Sequence, residues 1–99
     1  MNNKTTYVNE PLGINVDFTN TTSEVICNIA GHEHRDLYHT KDGVLTILTT
    51  CDAWLSDDGV NREPGTITEH AFDVFSIDYT NRTIKTTRIG AGSDREFTY

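Results

Sequence analysis

The amino-acid sequence predicts a mainly β domain of about five or six mostly antiparallel strands. Threonine is abundant, alanine is scarce, and runs of helix-forming residues are missing, a composition that favours strands. Several segments alternate apolar and polar residues, as half-buried strands do. The Asp42-Gly43 pair lies between two strand-like segments and is a strong hairpin signal. A chain of 99 residues is the size of one domain, so we treat 1–99 as a single unit.

Six segments have the pattern of strands. They are residues 12–18, 25–30, 37–40, 44–49, 66–77 and 83–89. Residues 1–11 are polar and are expected to form a loosely held lead-in. The segment 12–18 alternates cleanly, which predicts a half-buried strand. The segment 25–30 is apolar on both faces, which predicts a central strand covered on each side.

The connections between these segments are turns and one long loop. Residues 50–65 form the loop, and its Trp54 either anchors the loop on the body or lies over a substrate cleft. Residues 78–82 supply a turn between the last two predicted strands. The Gly-Ala-Gly at 90–92 is expected to turn tightly, and residues 93–99 to form a short polar-aromatic tail.

The acidic net charge of the chain argues against two classes of binding partner. The formal net charge is −7, from 15 acidic and 8 basic residues. This balance argues against a surface for duplex nucleic acid, which needs a Lys/Arg patch, and against binding to anionic membranes. It is compatible with a cation site, although most of these charges serve solubility. With 35% apolar residues, the core is thin or part of its surface is normally covered by something else.

The cysteines indicate a reducing compartment. Cys27 and Cys51 are not spaced as a Cys-x-x-Cys motif, and the sequence shows neither a signal peptide nor an apolar stretch of membrane-spanning length. We therefore expect a cytoplasmic protein with free thiols. Cys27 alternates with Val25 and Ile29 and is expected to be a small core residue, while Cys51 is expected to be a structural or idle thiol.

Two histidines come directly after the segment 25–30 and its glycine. His32 and His34 are separated by one residue, so in an extended segment their side chains project to the same side. Imidazoles suit zinc, iron and manganese, and Gly31 lets the chain approach an ion closely. A lone His-x-His pair also occurs as polar loop histidines, so the spacing by itself leaves both interpretations open.

The residues around these histidines resemble a known enzyme family. Gly-His-Glu-His at 31–34 looks like the Gly-His-x-His block that closes the metal site of calcineurin-like metallophosphoesterases, and Arg-Asp at 35–36 is similar to the residues after that block in bacterial and phage members. The similarity continues through Gly-Thr-Ile-Thr-Glu at 65–69, Ala-Phe-Asp-Val at 71–74 and Arg-Ile-Gly-Ala-Gly-Ser-Asp-Arg at 88–95. It covers about residues 12–99 and resembles the C-terminal portion of the family.

The resemblance implies a fold, a reaction and a set of ligands. The family has two facing mixed sheets flanked by helices, and this segment would supply strands of one sheet. Such phosphoesterases use two divalent metal ions (manganese, iron or zinc) to activate a water for attack on a phosphate ester. By resemblance, His32 binds one ion and His34 the other. Asp36 is a candidate to fix an imidazole tautomer and Arg35 to contact phosphate, or the two form an ordinary surface pair.

Departures from the family pattern limit this prediction. The family blocks Asp-x-His, Gly-Asp and Gly-Asn-His do not occur in the sequence, and His39 and His70 lie in no such block. Two imidazoles cannot assemble a dinuclear centre, so we expect an isolated chain that is inactive and a partner, an N-terminal half or upstream chain, that carries the missing ligands.

Two other functions stay open at this point. One is a stand-alone β module that binds a protein partner, with the histidines idle. The other is a small mononuclear metal-binding domain that uses His32, His34 and a nearby carboxylate. Uncovered strand edges and apolar surface also predict self-association.

Overall fold

The computed structural model describes residues 6–9, 13–17, 19–20, 22–53 and 59–99. Within these residues the regular structure is eight β-strands and one short 3-10 helix, so the predicted mainly β class is confirmed. The strands are β1 (Thr6–Asn9), β2 (Ile14–Asp17), β3 (Cys27–Ala30), β4 (Leu37–Lys41), β5 (Val44–Leu48), β6 (Ala71–Asp78), β7 (Thr83–Gly90) and β8 (Arg95–Thr98). The 3-10 helix is Ile67–Glu69. None of the described helical segments has the length and apolar character needed to cross a membrane.

The eight strands form three sheets. β1 and β2 make an antiparallel pair. β3, β5 and β4 form a mixed sheet in that order, with β3 parallel and β4 antiparallel to the central β5. β6, β7 and β8 form an antiparallel sheet in that order. Strand pairing is therefore mostly antiparallel, as predicted, and six strands belong to the two three-stranded sheets.

The two three-stranded sheets contribute side chains to one small apolar cluster. Leu45 and Ile47 of β5 form one cluster with Ile84 of β7 and Phe97 of β8. Ile47 and Ile84 are completely buried. The ring of Tyr38 on β4 meets the Phe97 ring edge to face, with the ring centroids 5.3 Å apart. The core is thin because each sheet contributes only a few side chains to it.

The position of β3 differs from the prediction. The apolar segment 25–30 predicts a central strand, yet β3 lies at an edge of its sheet and β5 occupies the centre. Ile29 on β3 is 48% exposed, whereas its register partner Ile47 on β5 is fully buried. The tight turn at 42–43 pairs β5 with β4 on one side, which leaves the other side of β5 for β3. Among the described residues, β3 therefore has β5 as its one strand neighbour, and its Ile29 side chain stays partly uncovered.

Both predicted hairpins are confirmed. Lys41 of β4 pairs with Val44 of β5 across a two-residue turn, in which Asp42 and Gly43 have φ angles of 52° and 79°. Positive φ at both central residues gives a turn whose twist matches that of the strands. The second hairpin joins β6 to β7, and the carboxylate of Asp78 accepts two backbone N–H groups of its turn.

Three segments form elements that their sequence patterns do not predict. The lead-in 1–11 contains β1, which is held by its ladder with β2. The predicted strand 66–77 begins only with β6, because the Thr66 hydroxyl accepts the N–H of Thr68 and starts the 3-10 helix instead. The tail 93–99 contains β8, which pairs with β7.

Both cysteines are free thiols, as predicted. Cys27 packs against the core cluster, and burial raises the pKa of its thiol. The Cys51 thiol donates to the backbone carbonyl of Ala53 at 3.3 Å. The two interpretations of Trp54 concern a residue that lies outside the described residues.

Candidate metal-ligand corner

The two histidines lie on the connection between β3 and β4, which we call the His corner (residues 31–36). His32 and His34 are both exposed, and their φ angles are 80° and 55°. The sequence analysis expected an extended backbone that places both side chains on one side, and this expectation is therefore wrong. The chain has to cross the end of β5 and reverse direction between β3 and β4, so it turns at these residues instead of extending.

Left-handed backbone at two histidines within three residues marks the His corner as strained. Positive φ is uncommon outside glycine, although histidine adopts it more often than most residues. Each such residue costs about 1–3 kcal/mol and persists only where the surrounding structure fixes it. Among the described non-glycine residues, Asp42 and Arg82 also have positive φ, but these two lie at hairpin turns.

Two consecutive threonines after β5 hold the His corner. The Thr49 N–H donates to the Ala30 carbonyl at 3.0 Å, immediately before the corner begins. The Thr50 hydroxyl donates to the His34 carbonyl at 3.0 Å. Thr50 is only 4% exposed. The end of β5 thus fixes the backbone on both sides of the histidine pair.

Asp36 ends the His corner and is bound by groups from other parts of the fold. Its Oδ1 atom accepts the Thr50 N–H at 3.1 Å and the Arg88 Nη2 at 2.7 Å. The Arg95 Nη2 lies 3.5 Å from the same oxygen. Asp36 thereby ties the corner to the antiparallel sheet. Arg35, the neighbouring candidate from the sequence, is exposed.

Asp36 is the outermost member of a buried ion network, which we define as Asp36, Asp73, Arg88 and Arg95. The Arg88 Nε and Nη2 atoms donate to the two carboxylate oxygens of Asp73 at 2.8 and 3.1 Å. The Arg95 Nη2 and the Thr49 hydroxyl also donate to Asp73, at 2.8 and 2.6 Å. The side chains of Asp73 and Arg88 are 0% and 1% exposed. The network is therefore an interior support beneath the His corner.

Mutual pairing keeps Asp73 and Arg88 charged. Burial alone would raise the pKa of Asp73, but hydrogen bonds from Arg88 and Thr49 and the charge of Arg88 lower that pKa below the usual aspartate value. Burial alone would lower the pKa of Arg88, but hydrogen bonds to Asp73 and Asp36 and the charges of those carboxylates raise it. Each of these two charged side chains therefore depends on its partners to offset the free-energy cost of burying its charge.

The His corner has fewer candidate ligands than a complete metal centre. Within the described residues, no three His, Cys, Asp or Glu side chains come together as a group that could hold a metal ion. His32 and His34 supply nitrogen donors of a suitable kind, but two imidazoles are fewer protein ligands than such centres use. These residues therefore do not fit a complete metal centre. His70 lies elsewhere, with its Nδ1 3.3 Å from Asp52, and His39 is exposed on β4.

Sequence reasoning missed the interior support, although one signal for it exists. Ile84, Thr86 and Arg88 alternate along β7, and all three are buried. An arginine on the apolar face of a strand requires a buried acidic partner. Asp73 is directly opposite Arg88 in the β6–β7 register. The position of Arg88 on the same face of β7 as Ile84 is therefore the sequence signal for a buried cation.

No protein-family model matches the chain, and no curated protein or solved structure matches it either.

Proposed function

We propose that this chain is the C-terminal part of a metal-dependent phosphoesterase of the calcineurin-like class, to which it supplies His32 and His34 as metal ligands. The observation that supports this most is the strained His corner, in which both exposed histidines have positive φ angles. Strain of this kind concentrates at functional sites, where the surrounding structure fixes it. The motif resemblance at 31–36, 65–69, 71–74 and 88–95 supports the choice of family.

The remaining ligands of the proposed site come from polypeptide outside these 99 residues. The sequence lacks the family's Asp-x-His, Gly-Asp and Gly-Asn-His blocks. We accordingly propose divalent manganese, iron or zinc as a cofactor of the completed enzyme. We expect the isolated chain to be inactive. The substrate class is a phosphate ester. Free thiols at Cys27 and Cys51 support a cytoplasmic location.

The free edge of β3 supports a partner that completes the site. β3 has one neighbour, β5, among the described strands, and its residue Ile29 is 48% exposed. An uncovered strand edge presents backbone groups that can pair with another strand. β3 runs directly into the His corner, so a strand added at this edge would lie beside the strand that leads to His32 and His34.

A second candidate function is a β module that binds a protein partner. Phe72 and Val74 on β6 are 46% and 51% exposed. Phe72 pairs with Ile89 on β7, so this sheet carries a small exposed apolar patch on its edge strand β6. Exposed apolar patches mark interaction surfaces, and this one also accounts for the predicted self-association. The patch lies on a different sheet from the strands that flank the His corner. Substitutions in the patch and substitutions in the corner therefore test the two candidate functions separately.

The test is a phosphodiesterase assay with and without the polypeptide encoded immediately upstream. We expect that coding region to carry Asp-x-His and Gly-Asn-His blocks. The purified chain alone, supplied with Mn²⁺, should not hydrolyse bis(p-nitrophenyl) phosphate, whereas the chain produced together with the upstream polypeptide should. Continued inactivity of the combined polypeptides would contradict the phosphoesterase proposal. Turnover by the chain alone that disappears in His32→Ala would contradict the division of the site.

A further inference from the structure

We propose that two copies of this chain join edge to edge through β8, so that their two antiparallel sheets become one continuous sheet. β8 is the last strand of its sheet, and among the described strands its one neighbour is β7. The proposed interface lies at the opposite edge of the sheet from the apolar patch of Phe72 and Val74 on β6. It uses no residue of the His corner, so it is independent of the phosphoesterase proposal.

The backbone of β8 directs hydrogen-bonding groups away from β7 at two residues. The N–H groups of Arg95 and of Tyr99, which directly follows β8, donate to groups of β7 and of the residue before it, each at 3.1 Å. Along an antiparallel strand, the direction of these groups alternates from one residue to the next. Glu96 and Thr98 therefore present their N–H and C=O groups at the outer edge of the sheet.

The two edges of this sheet differ in their protection against an added strand. On β6, the Asp52 carboxylate accepts the Ala71 N–H at 3.1 Å and so occupies the first outward position of that edge. β8 contains neither proline nor lysine, which are residues that commonly block a strand edge. Strand addition is therefore favoured at β8 over β6.

A cleft beside β8 leaves an aromatic side chain partly uncovered. The cleft has a volume of about 450 Å³ and is lined by Tyr38, Thr40 and Leu45 together with all four residues of β8. Tyr38 is 67% exposed, although its ring contacts that of Phe97, which is buried. A second copy added at β8 would place its own Phe97 beside this pair of rings, where aromatic contacts are favourable.

The accessible surface of the chain is large for its mass, which favours another polypeptide over a small ligand as the occupant of this edge. The surface measures 6835 Å². A compact monomer of 11.1 kDa exposes about 5,700 Å². The excess of about 1,100 Å² is more than the area of about 800 Å² that a standard interface removes from each partner. A second copy can cover an area of this size.

The edge of β8 is complementary to itself in one antiparallel register. With Phe97 on a two-fold axis, Glu96 of each copy lies opposite Thr98 of the other, and all of the outward backbone groups are paired. A register that sets Glu96 opposite Glu96 of the second copy brings two carboxylates together, which destabilises a strand pair. A register that sets Thr98 opposite Thr98 leaves the outward groups of Glu96 without a partner in β8. The register centred on Phe97 is therefore the expected one.

Sedimentation equilibrium of the parent protein and two variants tests the dimer. Thr98→Pro removes an outward N–H, and proline is tolerated where the N–H of an edge strand faces solvent, so the monomer should keep its circular dichroism spectrum. Thr98→Val is the matched control, because it changes the same side chain and keeps the N–H. We expect the parent protein and Thr98→Val to show twice the chain mass of 11.1 kDa. The dissociation constant of Thr98→Pro should be at least about 30-fold higher, because a hydrogen bond is lost in each copy.

Disulfide cross-linking tests the register without relying on the proline variant. The background carries Cys27→Ala and Cys51→Ser, which remove the native thiols. A mixture of Glu96→Cys and Thr98→Cys should form a covalent heterodimer under mild oxidation, because opposite hydrogen-bonded residues lie about 5.5 Å apart at Cα. Either variant alone should cross-link much less, because like residues are displaced by two positions in this register.

Three results would overturn the proposal. The first is a parent protein that stays monomeric at millimolar concentration. The second is a dimer that Thr98→Pro leaves equally tight, because the interface would then lie on another surface. The third is a cross-link that forms as readily with Glu96→Cys alone as in the mixture, because the register would then be wrong. None of these results bears on His32 and His34 as metal ligands, so the two proposals fail separately.

Discussion

Replacing Arg88 with alanine is expected to lower the free energy of unfolding by about 3–5 kcal/mol, because it leaves the Asp73 carboxylate buried without its main partner. Asp73 is 0% exposed, so water cannot replace the lost hydrogen bonds without opening the protein interior. The total stability of a domain is only about 5–15 kcal/mol, so this loss brings the chain close to unfolding. Equilibrium urea denaturation, monitored by circular dichroism, measures the change.

Lys85→Ala is the matched control for this experiment. Lys85 lies on the same strand as Arg88 and pairs with Glu96 at 3.1 Å, but both side chains are more than half exposed. Exposed pairs contribute about 0–1 kcal/mol, so Lys85→Ala should change stability little. If Arg88→Ala proved as mild as Lys85→Ala, the ion network would not be the interior support that we describe.

Replacing either histidine of the His corner is expected to reduce the Mn²⁺-dependent turnover of the completed enzyme by at least about 100-fold. Removal of a group that merely orients a ligand costs up to about 100-fold, and His32→Ala or His34→Ala removes the proposed ligand itself. Both side chains are exposed, so neither substitution should unfold the domain. The measurement is the hydrolysis rate of bis(p-nitrophenyl) phosphate at saturating Mn²⁺.

His39→Ala is the matched control for the two histidine variants. His39 is also an exposed histidine, but it lies on β4 outside the His corner. Its substitution should leave turnover within about twofold of the parent enzyme, as expected for a surface position away from the site. Equal losses in all three variants would mean that the effect does not come from the His corner.

The parts of the fold that the sequence predicts well are those that local patterns encode. The Asp42-Gly43 turn defines its own hairpin, because only a few residues tolerate positive φ at both central positions. The turn residues at 78–82 similarly predict that 83–89 pairs back on the preceding strand, as β7 does on β6. The edge position of β3 was missed because it depends on which strands pair with β5, and the segment 25–30 contains no information about that pairing.

The sequence nominates His32 and His34 as candidate site residues, but it does not predict the geometry of the His corner. The motif at 31–34 identifies His32 and His34, yet the left-handed backbone of both arises from the crossing over β5. The contact between Thr50 and His34 joins residues 16 positions apart, and that between Asp36 and Arg88 joins residues 52 apart. Contacts at such separations result from sheet packing and have no local signature.

The central claim is that His32 and His34 are metal ligands of a site completed by another polypeptide. The most direct measurement is the ¹⁵N spectrum of the histidine rings in the chain bound to the upstream polypeptide, recorded during a stoichiometric Zn²⁺ titration. We expect the ring nitrogens of His32 and His34 to shift together while those of His39 and His70 do not. An active complex in which His32 and His34 remain unshifted would contradict it.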